Sequence, residues 1–280
     1  MTKKGYSIHI GLNFVSPAHY DGWDGELVAC ENDARDMADL AEGQGFSTIK
    51  TLIRSKATRA AVKRELAAAA TKLKSGDLLM LTYSGHGGML PDRNGDERDN
   101  RDETWCLFDG ELVDDELYHA YAQFAEGVRI VVLSDSCHSG TVTRAAYYAR
   151  NPENANKRYR SMPKAVALRT YNKNKEFYEK ILKAPALKES NPFSAKYNSK
   201  LKATVRLLSG CQDNQESNDG DFNGLFTGTL LEVWNGGTFK GTYSQLMRKM
   251  LRQMPPDQTP NHYLIGKHNS EFNSEGAFEI

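Results

Sequence analysis

The chain has 280 residues, of which 39% are apolar and 26% are charged, a composition typical of a globular protein with a sizeable core. Lysine plus arginine equals aspartate plus glutamate at 36 each, so the net charge gives no reason to expect nucleic acid or an anionic membrane as a partner. The four cysteines lack a CxxC pair, and no apolar run approaches the roughly 20 residues of a membrane span, which argues against a zinc ribbon, a disulfide scaffold and a transmembrane protein.

Short apolar runs alternate with helical patterns along most of the chain. Runs rich in Val, Ile and Leu predict strands buried on both faces at 6–14, 47–53, 77–85, 128–136 and 203–210. Patterns that end at or near a glycine predict helices at 26–45, 55–76 and 114–127. This alternation predicts an α/β fold with a mostly parallel sheet, helices on both faces and a ligand crevice at the carboxyl ends of the strands.

A basic segment interrupts the pattern at residues 144–202. It contains 15 Lys or Arg and 4 Glu, and only 172–184 has a helical pattern, so the remainder is predicted to be loop. Such a long insertion in a compact domain is usually functional or mobile. Helical patterns and a last apolar run follow at 225–237, 244–254 and 261–266. We expect one domain, 1–280, divided into 1–143, the basic segment 144–202 and 203–280.

Two motifs close neighbouring predicted strands. "YSGHGG" places His86 after the third strand, and "DSCHSG" places Cys137 after the fourth, 51 positions later. In a parallel sheet both side chains would lie at the same edge, where an imidazole can take the proton of a thiol. The caspase signature has its histidine at a similar distance before its cysteine. The pair therefore predicts a Cys/His site. Either motif alone would be a weak signal, and Cys137 alone would fit a buried, packed thiol.

With these motifs, the chain resembles the metacaspases, caspase-like cysteine peptidases with a caspase-hemoglobinase fold. Further segments look like family segments in the expected order: "CENDA" (30–34), "RDETWCLFDG" (101–110), "LVDDEL" (112–117), "SGCQDNQESND" (209–219) and "DQTPNHY" (257–263). The resemblance covers nearly the whole chain except the basic segment. It implies a large-subunit-like part before that segment, a small-subunit-like part after it, and cleavage after Arg or Lys.

The resemblance also assigns roles to individual residues. Cys137 would be the nucleophile, His86 the general base and acid, and the amides of Gly87 and Cys137 the oxyanion donors. Asp33, Ser84 and Asp135 match the positions that line the primary specificity pocket. Carboxylates there would pair a cationic substrate side chain and repel an aspartate. We expect His138 to be structural, and Cys30, Cys106 and Cys211 to be packing residues.

A metal site is a separate expectation. Residues 92–116 form an acidic segment with 11 Asp or Glu against 3 Arg, which we predict to be a loop, and calcium binds such oxygen ligands. The resemblance implies a calcium site at Asp102, Asp114 and Asp115, although a further acidic position of the family is Arg144 here. Asp114 and Asp115 could equally cap the helix that follows. We therefore expect no required cofactor and regard calcium as optional.

The sequence thus predicts a cysteine endopeptidase that cuts after Arg or Lys and processes its own basic segment. The alternatives are a catalytically silent caspase-like interaction module and a cysteine amidase acting on a cationic substrate. We expect a cytoplasmic monomer whose partners are proteins or peptides with Arg or Lys at the cleavage site, with no nucleic acid or membrane partner.

Overall fold

A computed structural model describes residues 2–92, 101–137, 158–185, 187, 200–211 and 217–280. Its main sheet has six strands in the order β11-β9-β7-β3-β1-β2, and every neighbouring pair is parallel except β11 with β9. The six strands span Gly5–Gly11 (β1), Thr48–Ile53 (β2), Leu78–Ser84 (β3), Arg129–Asp135 (β7), Thr204–Ser209 (β9) and Asn261–Gly266 (β11). The predicted mostly parallel α/β sheet is confirmed.

Helices cover both faces of this sheet. They span Cys30–Gly43 (α1), Arg59–Lys72 (α2), Asp114–Tyr121 (α3), Lys164–Lys173 (α4), Lys175–Leu182 (α5), Leu225–Trp234 (α6), Tyr243–Gln253 (α7) and Ser270–Ser274 (α8). Alternate strand residues point to opposite faces. Leu79 and Leu81 of β3 pack in one apolar layer with α2 and α3, while Leu78 and Met80 pack in the other with α1, α6 and α7. Both layers are buried, which explains the continuous apolar runs.

The acidic segment is not simply the loop that its composition suggests. Strands β4 (Gly87–Pro91), β5 (Arg101–Leu107) and β6 (Gly110–Val113) form a second, antiparallel sheet directly after His86. The expectation of a loop is therefore wrong for β5 and β6. Burial gives the reason, because residues 104–107 of β5 and all four residues of β6 are buried, so an interior face outweighs the charged composition.

The basic segment also has more structure than its composition suggests. The helix expected at 172–184 is confirmed as α5, but α4 precedes it where we expected loop. Val166 and Ala167 of α4 pack in the apolar layer that contains Leu79 and Leu81. A short buried face of this helix therefore outweighs the surrounding charges. A two-residue strand, Arg158–Tyr159 (β8), pairs antiparallel with Asn218–Asp219 (β10). Within the described part of the chain, no helix has the length and apolar character needed to cross a membrane.

Candidate active site

The two strand-end motifs lie side by side, as the sequence predicts. Strands β3 and β7 are parallel neighbours, with Ser84 in register with Asp135. His86 and Cys137 each follow two residues later. Both are buried, at 6% and 0% exposure, so any substrate atom that meets them is also withdrawn from water.

The imidazole of His86 is held in one tautomer. Its Nε2 lies 3.0 Å from the carbonyl oxygen of Gly25, which can only accept, so Nε2 carries the proton and Nδ1 keeps its lone pair. Nδ1 makes no hydrogen bond of regular geometry within the described residues, although the Ser161 backbone lies near enough to the ring to raise its pKa. Burial lowers the pKa of His86 to about 4, although the Gly25 carbonyl opposes this shift. The imidazole is thus neutral at physiological pH, with Nδ1 able to accept a proton.

A glycine allows this arrangement. Gly25 has a φ of +59°, and a Cβ atom there would lie 2.8 Å from the Trp23 ring and 3.0 Å from the His86 ring. The Trp23 and His86 ring centroids are 4.7 Å apart. Only glycine adopts this backbone conformation without cost while leaving room for both rings. Trp23 and Gly25 therefore fix the imidazole from the loop that precedes α1.

Two backbone N–H groups converge on one carbonyl oxygen beside Cys137. The N–H of Gly87 donates to the oxygen of Arg160 at 2.9 Å, and the N–H of Cys137 donates to the same oxygen at 3.0 Å. These two amides are the ones predicted from the sequence to be the oxyanion donors. Both distances match those required of an oxyanion hole, 2.7–3.1 Å. The Cys137 thiol itself accepts a hydrogen bond from the N–H of Ser217 and lies 3.2 Å from the Cys211 sulfur.

Arg160 belongs to a segment that crosses the site in extended form. On one side of it, β8 pairs antiparallel with β10, and the N–H of Arg160 donates to the oxygen of Ser217 at 3.1 Å. On the other side, the N–H of Met162 donates to the oxygen of Gly87 at 2.8 Å. A peptide that adds a strand to an exposed edge is held in the same way, by main-chain hydrogen bonds.

The side chain of Arg160 fills the predicted specificity pocket and is fully buried. Its Nη1 donates to Ser84 Oγ at 2.8 Å and pairs with Asp135 Oδ2 at 2.9 Å. Its Nη2 pairs with Asp33 Oδ2 at 2.8 Å and Asp219 Oδ1 at 2.9 Å. The three residues predicted for this pocket thus meet around one guanidinium, together with a third carboxylate. The two nitrogens face different sets of acceptors, a fork that an ammonium group cannot reproduce.

A cation offsets part of the negative charge in this pocket. Burial raises the pKa of Asp33, and the Asp135 carboxylate raises it further, while Arg160 opposes both. Burial alone would lower the pKa of Arg160, but the carboxylates of Asp135, Asp33 and Asp219 hold it well above its ordinary value. A buried group of carboxylates without a cation is unfavourable, and in this structure the Arg160 guanidinium supplies the cation.

Further hydrogen bonds from groups other than Arg160 hold the carboxylates in place. Asp135 Oδ1 accepts from Ser217 Oγ at 2.6 Å, and its Oδ2 accepts from the N–H and Oγ1 of Thr227 at 3.0 and 2.8 Å. Asp219 accepts from the N–H groups of Val28 and Ala29. The pocket walls therefore combine segments from both ends of the sequence.

Gly224 forms the floor of the pocket. It caps the start of α6, and its N–H donates to Asp33 Oδ1 at 3.0 Å. A Cβ atom at this position would lie 2.5 Å from Cζ of Arg160, closer than carbon atoms can approach. The absence of a side chain therefore gives the pocket its depth.

The residues predicted to bind metal lie away from this pocket. Asp102 is buried in β5, and Asp114 and Asp115 begin α3, where the N–H of Asp115 donates to Asp114 Oδ1 at 2.9 Å. Across the described ranges, no three His, Cys, Asp or Glu side chains converge in a way that could hold a metal ion. These residues do not fit a calcium site by themselves, so calcium binding stays a prediction. His138 and Arg144 lie outside the described residues.

Sequence reasoning missed three residues of the site: Arg160, Asp219 and Gly224. Arg160 is one of 15 cationic residues in the basic segment, and nothing local distinguishes it. Asp219 falls inside a quoted family segment without a role of its own. Gly224 precedes a predicted helix, which is an ordinary position for a cap. Only the three-dimensional arrangement brings them together.

Comparison with known proteins agrees with this geometry. The family model for the caspase domain (Peptidase C14) matches residues 14–275. This chain belongs to the caspase-domain family. It is 27% identical to metacaspase-1 of Ajellomyces capsulatus over 95% of this chain and 81% of that protein. It is also 32% identical to metacaspase-1 of Saccharomyces cerevisiae, over 52% of this chain and 36% of that protein.

A solved structure is similar over the full length. The crystal structure of protein GSU0716 from Geobacter sulfurreducens superposes with a TM-score of 0.88 and 49% sequence identity, covering 99% of both chains. The resemblance drawn from the motifs is therefore confirmed, as is the caspase-like fold. The caspase-domain chain described here is a metacaspase-like cysteine peptidase, a hydrolase whose substrates are proteins.

Proposed function

We propose that this peptidase cuts peptide bonds after arginine through a Cys137/His86 dyad, and that its first substrate is its own Arg160–Ser161 bond. One observation carries the proposal. The Arg160 carbonyl oxygen accepts hydrogen bonds from two backbone amides while the Arg160 guanidinium pairs with the pocket carboxylates. A substrate residue preceding the scissile bond must satisfy both conditions at once.

Acylation follows from the groups around this carbonyl. The Cys137 thiol gives its proton to Nδ1 of His86, and the sulfur attacks the Arg160 carbonyl carbon. Charge develops on the carbonyl oxygen, where the N–H groups of Gly87 and Cys137 stabilise it. His86 then returns the proton to the departing amine of Ser161, which leaves a thioester on Cys137. Water, deprotonated by His86, attacks the thioester, releasing the Arg160 carboxylate and the thiol.

Specificity follows from the pocket. Asp33, Asp135 and Asp219 present negative charge to the substrate side chain, so an aspartate would face like charge in a buried site. An arginine satisfies both sets of acceptors, whereas a lysine ammonium is a single point of charge. We therefore rank arginine above lysine, and both far above aspartate.

Self-cleavage would divide the chain without separating its parts. Strand β7 precedes the cut and β9 follows it, and the two are parallel neighbours in the main sheet. The fragments 1–160 and 161–280 would remain joined by that pairing and by both apolar layers. This agrees with the proposed division into large and small parts around the basic segment. While the chain is intact, Arg160 also keeps other substrates out of the pocket.

A cleavage profile on a peptide library tests the function. Wild type should cut after arginine, more weakly after lysine and not after aspartate. His86→Ala should lower kcat/KM by about 10²–10⁴-fold, the range for loss of a general base, and Cys137→Ala should abolish turnover. The exposed His268 gives a matched control, since His268→Ala should behave as wild type.

The same profile separates the alternatives. A folded wild type that cuts no peptide would indicate a catalytically silent interaction module. Release of ammonia from cationic amides without peptide cleavage would indicate an amidase. Retention of near wild-type turnover by His86→Ala across pH 6 to 9 would show that His86 is not the base.

A further inference from the structure

We propose that Cys211 is a resolving cysteine that forms a disulfide with Cys137 when the protein meets hydrogen peroxide. The disulfide would block the nucleophile reversibly, a consequence that rests on the proposed function of Cys137. The formation of the bond itself does not depend on that function. The two sulfur atoms lie 3.2 Å apart, and both residues are buried.

The sheet holds the two backbones in a position suited to this bond. Cys137 follows β7 and Cys211 follows β9, with Ser134 in register with Ser209. The N–H of Gly210 donates to the oxygen of Ser134 at 2.8 Å, so the pairing continues beyond the strands. This register places Cys211 opposite Ser136, with Cys137 one residue further along. With strands about 4.8 Å apart and a rise of about 3.3 Å per residue, the two Cα atoms are about 6 Å apart, within the range of about 4.4–6.8 Å that disulfides join. Closing the sulfur atoms to about 2.05 Å therefore needs side-chain rotation and no rearrangement of the sheet.

The other two cysteines are placed differently. The Cys106 side chain lies in the apolar layer, where burial raises the pKa of its thiol well above the ordinary value. Cys30 lies beside the specificity pocket, and burial raises its pKa as well. All four cysteines are reduced in the structure. A high thiol pKa slows the oxidation of Cys30 and Cys106, whereas the sulfur atoms of Cys137 and Cys211 are in contact with each other, which favours a disulfide at this pair.

A cavity gives a small oxidant access to Cys211. It has a volume of about 130 Å³, and Cys211 and Ser136 line it together with Trp105, Ser134 and Tyr263. A water molecule occupies about 30 Å³ in the liquid, so a peroxide molecule fits. The cavity lies on the β9 side of the nucleophile. An oxidant can therefore reach Cys211 without passing through the pocket that Arg160 fills.

The chemistry balances with peroxide as the oxidant. One thiol of the pair loses two electrons to hydrogen peroxide, giving a sulfenic acid and one water. The second thiol attacks that sulfur, the S–O bond breaks, and a second water leaves with the thiol proton. The product is the Cys137–Cys211 disulfide, which a dithiol reductant converts back to two thiols.

Peroxide treatment of the wild-type chain, followed by peptide mapping without reductant, tests the proposal. We expect a linked pair of peptides containing Cys137 and Cys211, and an intact mass about 2 Da lower. If the chain has been cut after Arg160, the disulfide would also join the two fragments on a non-reducing gel. Reductant should release them. These readouts need no peptidase activity.

Activity on an arginine reporter, expressed for each variant relative to its own reduced form, supplies the second readout. Peroxide should lower wild-type activity at least about tenfold, with recovery on adding dithiothreitol, because the modification is a disulfide. In Cys211→Ser the loss should not be recovered, since Cys137 would proceed to a sulfinic acid. Cys106→Ala, which removes a cysteine elsewhere, should recover like wild type.

Two results separate this proposal from the proposed function. A Cys137–Cys211 link in a chain that never hydrolyses the arginine reporter would support the disulfide and overturn the peptidase assignment. Wild type that accumulates sulfinic acid at Cys137 with no linked peptide pair, and whose inactivation matches that of Cys211→Ser, would overturn the disulfide.

Discussion

The carbonyl oxygen of Arg160 lies 3.0 Å from the backbone nitrogen of Cys137, within hydrogen-bond distance of the residue predicted to attack it. This contact joins the basic segment to the strand-end motif in a way that neither segment suggests alone. The interaction also explains why the pocket carboxylates tolerate burial, since the same arginine neutralises part of their charge. The intact chain thus has the features of an enzyme with its own substrate bound.

Filling the floor of the pocket should weaken recognition of arginine. We predict that Gly224→Ala lowers kcat/KM for an arginine reporter by more than about tenfold, because the new methyl group would overlap the guanidinium, and overpacking typically costs 1–3 kcal/mol. The matched control is Gly228→Ala on the same helix, where a Cβ meets no atom closer than 3.4 Å. Equal activity of the two variants would show that Gly224 does not limit the pocket.

The third carboxylate should discriminate arginine from lysine. In Asp219→Asn, Nη2 of a bound arginine loses one of its two charged partners. A lysine ammonium that pairs with Asp33 or Asp135 keeps its charged partner, so its binding is weakened less. We predict that the ratio of kcat/KM for arginine over lysine falls several-fold, which paired reporters would measure. Asp221→Asn, an exposed change two positions later, serves as the control. An unchanged ratio in Asp219→Asn would remove Asp219 from the account of specificity.

A buried acid outside the specificity pocket should make stability depend on pH. Burial raises the pKa of Glu111 to about 7, and its ordinary value is near 4.3. As pH rises between these values, the unfolded chain releases the proton first, so native wild type loses stability across that window. Glu111→Gln removes this loss. As pH rises from 4.5 to 8, the unfolding free energy of the variant should therefore increase by roughly 2–4 kcal/mol relative to that of wild type.

Urea denaturation at pH 4.5 and at pH 8 measures the difference in unfolding free energy between wild type and Glu111→Gln. The other titrating groups are the same in both chains, so their contributions cancel in this difference. Glu26→Gln, at an exposed position, controls for removal of a carboxylate as such. A constant difference between wild type and Glu111→Gln from pH 4.5 to 8 would contradict the assigned burial effect.

The main sheet could be predicted from sequence because its strands are buried on both faces. Continuous apolar runs and the glycines after the helices locate β3, β7 and the helices between them, and parallel pairing then brings His86 and Cys137 to one edge. The second sheet escaped prediction because β5 begins with the three charged residues Arg101, Asp102 and Glu103, which resemble an acidic loop when only charges are counted, although Asp102 is buried.

The pocket could be predicted in part for a related reason. Asp33, Ser84 and Asp135 lie within motifs, whereas Asp219 and Arg160 come together only through the pairing of β10 with β8. Such two-residue strands have no periodicity to detect. Their register depends on contacts between segments about 60 positions apart, which local composition does not encode.

The central claim is that the enzyme recognises its own Arg160–Ser161 bond as a substrate. The most direct measurement is the intact mass of purified wild type, Cys137→Ala and Arg160→Gln after equal incubation. We predict fragments 1–160 and 161–280 from wild type alone, with Ser161 at the new amino terminus and both fragments in one complex under native conditions. Cuts elsewhere in 144–202 with none after Arg160, or the same fragments from Cys137→Ala, would contradict the claim.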